Sequence, residues 1–234
     1  MSEKKYPLQG QTIVFTGSDL PHEAVEAVEA NGGQVLYLPL IETSIRQSEL
    51  PDFGRYDWLI FTSRTSAEAF GQLAITTTAK IAAVGEKTAE VLNGHGYSVD
   101  FMPSVYSADV FVEQFPAVAG DSRCLFVKGS LARSTIASMP MKVDEWEIYE
   151  TTLKTENAKA LRQMKDYIAI FASPSAVEAY REAGGDWAGL HIAAIGHVTE
   201  QAIIARGGNV DWTPENYTYV DVINEIAKGS CLND

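Results

Sequence analysis

An internal duplication limits what this chain can fold into more than any other feature of its sequence. The segment FTSRTSAEAF at residues 61–70 returns as FASPSAVEAY at residues 171–180. AAVGEKT at residues 82–88 returns as AAIGHVT at residues 193–199. The register then persists, matching Gly96 with Gly207, Asp100 with Asp211, Pro103 with Pro214 and Tyr106 with Tyr217. The opening joins the pattern, since IVFTGS at residues 13–18 resembles CLFVKGS at residues 124–130. Each repeated piece is an apolar run that passes through Gly, Ser or Thr into a helical pattern, which is a strand-to-helix turn. Two α/β copies follow, at about 12–118 and 123–228, and a ligand is expected between their turns.

Apolar β-rich runs fall at 12–16, 34–38, 58–62, 80–84, 98–102, 124–127, 147–153, 167–172, 191–195 and 209–212. Helical patterns lie between most of them, at 21–30, 66–73, 87–93, 108–115, 134–139, 158–164, 175–183, 198–206 and 219–228. Such alternation predicts an α/β fold of two doubly wound parallel-sheet domains, flavodoxin- or Rossmann-like, with helices on both faces. Glycines such as Gly32, Gly96, Gly184 and Gly207 read as stops after helices. Two extended, Thr-rich segments, 39–43 and 149–153, read as strands that cross between the domains. The repeat by itself allows a plain division into 1–118 and 121–234.

The formal net charge of −13 argues against a nucleic-acid protein, which needs a basic face. It leaves room for an anionic small ligand held by backbone N–H groups and a few local cations. No apolar run reaches the roughly 18 residues that span a bilayer, and the start MSEKKYPLQG lacks the apolar core of a signal peptide. A cytoplasmic protein without membrane partners is expected. The two cysteines, Cys124 and Cys231, have no metal-ligand spacing, and the four histidines are scattered. No phosphate-binding glycine loop and no G-x-S-x-G elbow occurs.

Chemistry therefore falls to the turns. Gly17-Ser18-Asp19, Thr62-Ser63-Arg64-Thr65-Ser66, Gly85-Glu86-Lys87-Thr88, Lys128-Gly129-Ser130, Ser173-Pro174-Ser175 and Gly196-His197-Val198-Thr199 follow strands. In parallel sheets ligands gather at the carboxyl ends of strands, where hydroxyl and N–H donors suit carboxylates or phosphates. Helix capping alone explains any one of these turns taken singly. Their pairing across the duplication is what favours a shared ligand. His197 reads as a solvated residue at a helix start. Tyr149 lies where the chain passes between domains. A phenol is protonated at neutral pH and can donate a proton, and it can equally pack with its O–H on a backbone partner.

Residues 59–63 (LIFTS), 83–88 (AVGEKT), 148–151 (IYET), 171–175 (FASPS) and 194–199 (AIGHVT) together resemble the uroporphyrinogen-III synthase family in order and spacing. The resemblance covers nearly the whole chain. It implies one domain from residues 1–38 plus 152–234, another from 43–147, and linker strands at 39–42 and 148–151. It implies a cofactor-free, metal-free cyclising lyase acting on hydroxymethylbilane, a linear tetrapyrrole with eight carboxylate arms, and a monomer. Water leaves the substrate's hydroxymethyl group, and ring D is inverted as the macrocycle closes to uroporphyrinogen III. The family's conserved tyrosine falls on Tyr149, implied to be catalytic. Its cleft-lining residues fall on Ser63, Gly85, Thr88, Ser173, Ser175, Gly196 and Thr199. Many members read Ser-Pro-Asn where this chain has Ser63-Arg64-Thr65, and Arg64 is a candidate partner for a substrate carboxylate. The competing expectation is a two-lobed, non-catalytic binding or sensor module for an anionic metabolite.

Overall fold

A computed structural model describes residues 6–47 and 49–230; Cys231 lies outside the described residues. The strands are β1 (Thr12–Phe15), β2 (Gln34–Tyr37), β3 (Ile41–Ile45), β4 (Trp58–Phe61), β5 (Lys80–Ala83), β6 (Cys124–Gly129), β7 (Val143–Leu153), β8 (Ile168–Phe171) and β9 (His191–Ala194). The helices are α1 (His22–Ala30), α2 (Arg64–Gln72), α3 (Glu86–Gly94), α4 (Ala108–Ala119), α5 (Thr155–Gln163), α6 (Pro174–Glu182), α7 (His197–Ile204) and α8 (Tyr219–Ser230). The chain divides into two compact units, Met1–Glu42 with Thr152–Asp234, and Thr43–Thr151. The α/β class with parallel sheets, expected from the alternation, is what the chain adopts.

In the first unit the strand order is β2-β1-β8-β9, all parallel. Successive side chains of a strand point to opposite faces, so each buried strand feeds two cores. Val14, Ala169, Phe171, Ile192 and Ala194 pack under α5, α6 and α7. Ile13, Phe15, Ile168, Ile170 and Ala193 pack under α1 and α8. In the second unit the order is β3-β7-β6-β4-β5, with β7, β6, β4 and β5 parallel. Leu59, Phe61, Leu125 and Val127 face α2 and α3, while Trp58, Ile60, Cys124 and Phe126 face α4. Burial pushes the Cys124 thiol up to about 11, with Asp57 adding to the effect.

Strands β3 and β7 carry the chain from one unit to the other and pair with each other. Lys154 N donates to Leu40 O at 2.8 Å and Arg46 N to Ile148 O at 2.9 Å, so the two run antiparallel. An ion pair between Arg46 and Glu147 and another between Lys154 and Glu42 tie the same strands.

Two predicted strands shrink to single bridges, Ala82 with Phe101 and Ala193 with Trp212. The cause is the same in both copies. The carboxylate of Asp100 accepts from Ile81 N at 2.8 Å, and that of Asp211 accepts from Ile192 N at 2.8 Å. A side chain thus takes the edge N–H that a longer ladder would use. Pro103 and Pro214, two residues beyond each bridge, bring no N–H of their own. The predicted helix at 134–139 is one short 3-10 turn, Ile136–Ser138. Pro140 biases the residue before it away from helical angles.

Helix ends follow local chemistry. Ser63, Ser107 and Ser173 cap α2, α4 and α6 through their hydroxyls. Gly96 and Gly207 take φ of 86° and 79° after α3 and α7, where a side chain would be strained.

At the N-terminal ends of β6 and β7, Arg123 Nη2 donates to Asp144 at 2.7 Å and Tyr56 Oη donates to it at 3.1 Å. The Arg123 hydrogen bond holds the Asp144 carboxyl below its ordinary value, with partial burial opposing and Tyr56 assisting. A lowered native pKa stabilises above the unfolded value and ceases to do so as pH falls through the native one. Asp144→Asn is therefore expected to cost about 0.5–1 kcal/mol at pH 7, the two side chains being 27% and 34% exposed. Urea unfolding should show that difference shrinking as pH falls below the ordinary aspartate value of about 4.

Candidate functional site

A parallel sheet opens a crevice where neighbouring strands send their crossovers to opposite sides. In the second unit β4 continues to β5 on one side and β6 to β7 on the other. The switch point thus lies between the carboxyl ends of β4 and β6, where Ser63 and Gly129-Ser130 stand.

Tyr149 arrives there from β7. The β6–β7 register shifts between Lys128 and Gly129, so Lys128 opposes Glu147 and Gly129 opposes Tyr149. Ser130 N donates to Tyr149 O at 3.0 Å, and Thr151 N donates to Ser130 Oγ at 3.1 Å. The phenol ring rests on Gly129, where a Cβ would come within 2.6 Å of both Cε2 and Oη. Only glycine leaves that seat open.

The phenol oxygen then lies 3.4 Å from Ser63 Oγ. A full O–H···O bond is about 2.8 Å, so the phenol is only loosely engaged. Ser63 itself is well fixed. Its Oγ accepts from Ser66 N at 3.1 Å and reaches Ser66 Oγ at 3.0 Å. Arg64 is exposed on the first turn of α2. Lys128 is 8% exposed and its Nζ pairs with Glu145 at 2.9 Å, so this cation already has an acid partner.

The other turn of this unit is Gly85, which precedes α3. A Cβ at Gly85 would meet only Tyr106 Cβ, at 3.7 Å, leaving the backbone open to close approach. Thr88 lies buried one turn into α3.

The first unit repeats this arrangement with differences. Its switch point lies between β1 and β8, where Gly17 and Ser173 stand. Ser173 Oγ accepts from Ala176 N at 3.2 Å and lies 3.0 Å from Ser175 Oγ, so the two hydroxyls form one polar pair. Gly196 precedes α7, and Thr199 is buried within it. The ring of Tyr217 packs on Gly196, 2.8 Å from where a Cβ would sit, and its Oη lies 2.9 Å from His197 Nδ1.

Of the residues expected from the sequence, the structure brings together Ser63 with Tyr149, and Ser173 with Ser175. Gly85 with Thr88, and Gly196 with Thr199, each share one helix start. Sequence reasoning missed the supports: Gly129 beneath Tyr149, Ser66 behind Ser63, and Tyr217 against His197. Gly129 and Ser66 stood in candidate turns and Tyr217 in the repeat register, but nothing in the sequence marked what each supports. Among the described residues, no group of three or more His, Cys, Asp or Glu side chains is placed to hold a metal ion. No helix there is long and apolar enough to cross a membrane.

Compared with known proteins, residues 22–224 match the family model described as uroporphyrinogen-III synthase HemD. The chain belongs to the uroporphyrinogen-III synthase family. This is a family of cyclising lyases of tetrapyrrole biosynthesis. The chain is 30% identical to the uroporphyrinogen-III synthase of Synechococcus elongatus, over 91% of this chain and 92% of that one. It is 28% identical to a putative uroporphyrinogen-III synthase of Methanothermobacter thermautotrophicus, over 88% and 92%. The crystal structure of a mutant uroporphyrinogen III synthase from Thermus thermophilus matches with a TM-score of 0.74 at 14% identity, covering 96% of this chain and all of that one. At that identity the likeness concerns the fold. A non-catalytic binding or sensor module finds no support among these relatives.

Proposed function

We propose that this chain closes hydroxymethylbilane to uroporphyrinogen III as a cytoplasmic monomer, with Tyr149 as proton donor. The structural observation that supports the reading is the loosely engaged Tyr149 phenol, seated on Gly129 at the switch point beside Ser63.

The chemistry asks little of the protein beyond this. The electron-rich terminal pyrrole expels hydroxide as its nitrogen lone pair forms a ring C=N bond and the displaced ring electrons form the new exocyclic C=C bond. Tyr149 delivers a proton to the departing oxygen, and water leaves. The resulting azafulvene is attacked by the substituted carbon of ring D, giving a spiro centre. The original bond from that carbon to its neighbouring methylene bridge then breaks, and the methylene re-bonds to the free carbon of ring D, inverting the ring. Loss of the hydrogen from the newly bonded carbon restores aromaticity and returns a proton to Tyr149.

The precursor also closes without help, to the non-inverted type I isomer, so the protein mainly selects between two closures. Each tenfold of selectivity requires about 1.4 kcal/mol of differential barrier. Fixed donors acting on the substrate's carboxylates can supply that by holding one folded shape. Candidate donors are Ser63, Arg64, Ser173, Ser175, Thr88 and Thr199, with the backbone at Gly85 and Gly196. Several carboxylate arms give each set a partner.

The test is to supply hydroxymethylbilane, oxidise the products and separate the isomers. Type III is expected to dominate. Type I alone, formed at the spontaneous rate, would overturn the proposal and leave the binding-module reading.

A further inference from the structure

The two glycine turns are equal in backbone and unequal in chemistry. Residue for residue, Gly85-Glu86 and Tyr106 match Gly196-His197 and Tyr217. In the second unit the glycine is followed by an exposed acid, Glu86, and Tyr106 approaches Gly85 only through its Cβ, at 3.7 Å. In the first unit the tyrosine ring lies on the glycine and its phenol meets the imidazole.

We propose that His197 is a carboxylate-binding residue of the Gly196 turn and that Tyr217 is its positioning residue. This rests on the reading that the substrate is a polycarboxylate tetrapyrrole.

Tyr217 is held from two directions. Its ring fills the space that Gly196 leaves, and the next residue, Thr218, caps α8 by accepting from Asp221 N at 3.1 Å. With the ring fixed, the phenol oxygen lies 2.9 Å from His197 Nδ1, so the tyrosine engages that ring nitrogen and orients the imidazole. With Nδ1 accepting from the phenol, Nε2 is the ring's N–H donor, and His197 is exposed to receive a ligand. Tyr217 is itself 46% exposed, so the pair stands at the surface rather than serving a core. The matched turn presents Glu86, which repels a carboxylate. Only one of the two turns is therefore equipped to bind an acid arm with its first side chain.

The test is steady-state kinetics on hydroxymethylbilane across a charge series. His197→Ala should raise KM about tenfold with kcat within twofold of wild type. His197→Gln, which keeps an N–H donor, should stay within about threefold in KM. His197→Glu should exceed the alanine variant. Tyr217→Phe keeps the ring on Gly196 but loses the hydroxyl, and should raise KM about threefold; in the His197→Ala background it should add nothing. Equal KM for the Ala, Gln and Glu variants would overturn the assignment, as would an undiminished Tyr217→Phe effect without His197. Wild type giving only type I product would instead defeat the underlying functional reading, and the isomer analysis tells the two failures apart.

Discussion

Tyr149→Phe is expected to lower the turnover of type III formation by about a hundredfold while leaving the fold almost as stable as before. The rate estimate follows from losing one positioned proton donor, which is worth at least about 10² in rate. The stability estimate follows from geometry. Among the described residues the phenol's side-chain partner is Ser63 at 3.4 Å, and Ser63 keeps its own bonds to Ser66 when the hydroxyl goes. The ring still packs against the core face that includes Trp146 and Ile148. A loss of about 1 kcal/mol or less is the bound for so long a hydrogen bond. Single-turnover measurement with isomer separation, beside thermal unfolding, reads both numbers. A variant turning over within twofold of wild type would leave Tyr149 a packing residue.

The second large effect is expected from Gly129→Ala. Its backbone is compatible with alanine, since Gly129 is not among the glycines at positive φ. The obstacle is the Tyr149 ring, with Cε2 and Oη both 2.6 Å from the added methyl. Strand β6 is fully buried and cannot retreat, so the tyrosine must move. Overpacking of this kind costs about 1–3 kcal/mol, a fall in melting temperature of about 3–10 °C for a chain of this size. Activity should drop to the level of Tyr149→Phe, because the donor is displaced from Ser63. In the double variant the loss should not deepen. If Gly129→Ala melts lower but retains wild-type turnover, the position of the phenol does not matter to the reaction.

Much of the architecture is local chemistry and was therefore legible in the sequence. Buried runs such as 58–61 and 168–171 mark strands, and the glycines after α3 and α7 mark helix ends, because neighbours in sequence decide both. The lengths of the strands at 98–102 and 209–212 were not legible. Whether an aspartate turns its side chain onto the adjoining strand depends on where that strand lies. The candidate site divides along the same line. The turns at Ser63, Gly85, Ser173 and Gly196 announce themselves as punctuation after strands. The seat of Tyr149 on Gly129 depends on a register shift between β6 and β7, and no periodicity encodes such a shift. The approach of Tyr217 to His197 likewise spans twenty residues and a bend of the chain. The pairing of β1 with β8 is also carried by no repeat offset, because the duplication aligns β1 with β6 instead.

That last pairing bears on how the polypeptide emerges from the ribosome. Strand β1 lies between β2 and β8, so its sheet cannot be completed until residues 168–171 have been made. At about 5–20 residues per second, synthesis of the intervening stretch takes on the order of ten seconds. Throughout that interval Ile13, Val14 and Phe15, sealed from solvent in the finished protein, have no partner beyond the nascent βαβ unit of β1, α1 and β2. The stretch from Thr43 to Thr151 is continuous and can close on itself meanwhile. Newly made chains thus wait with the β1 edge of this sheet uncovered until β8 is added.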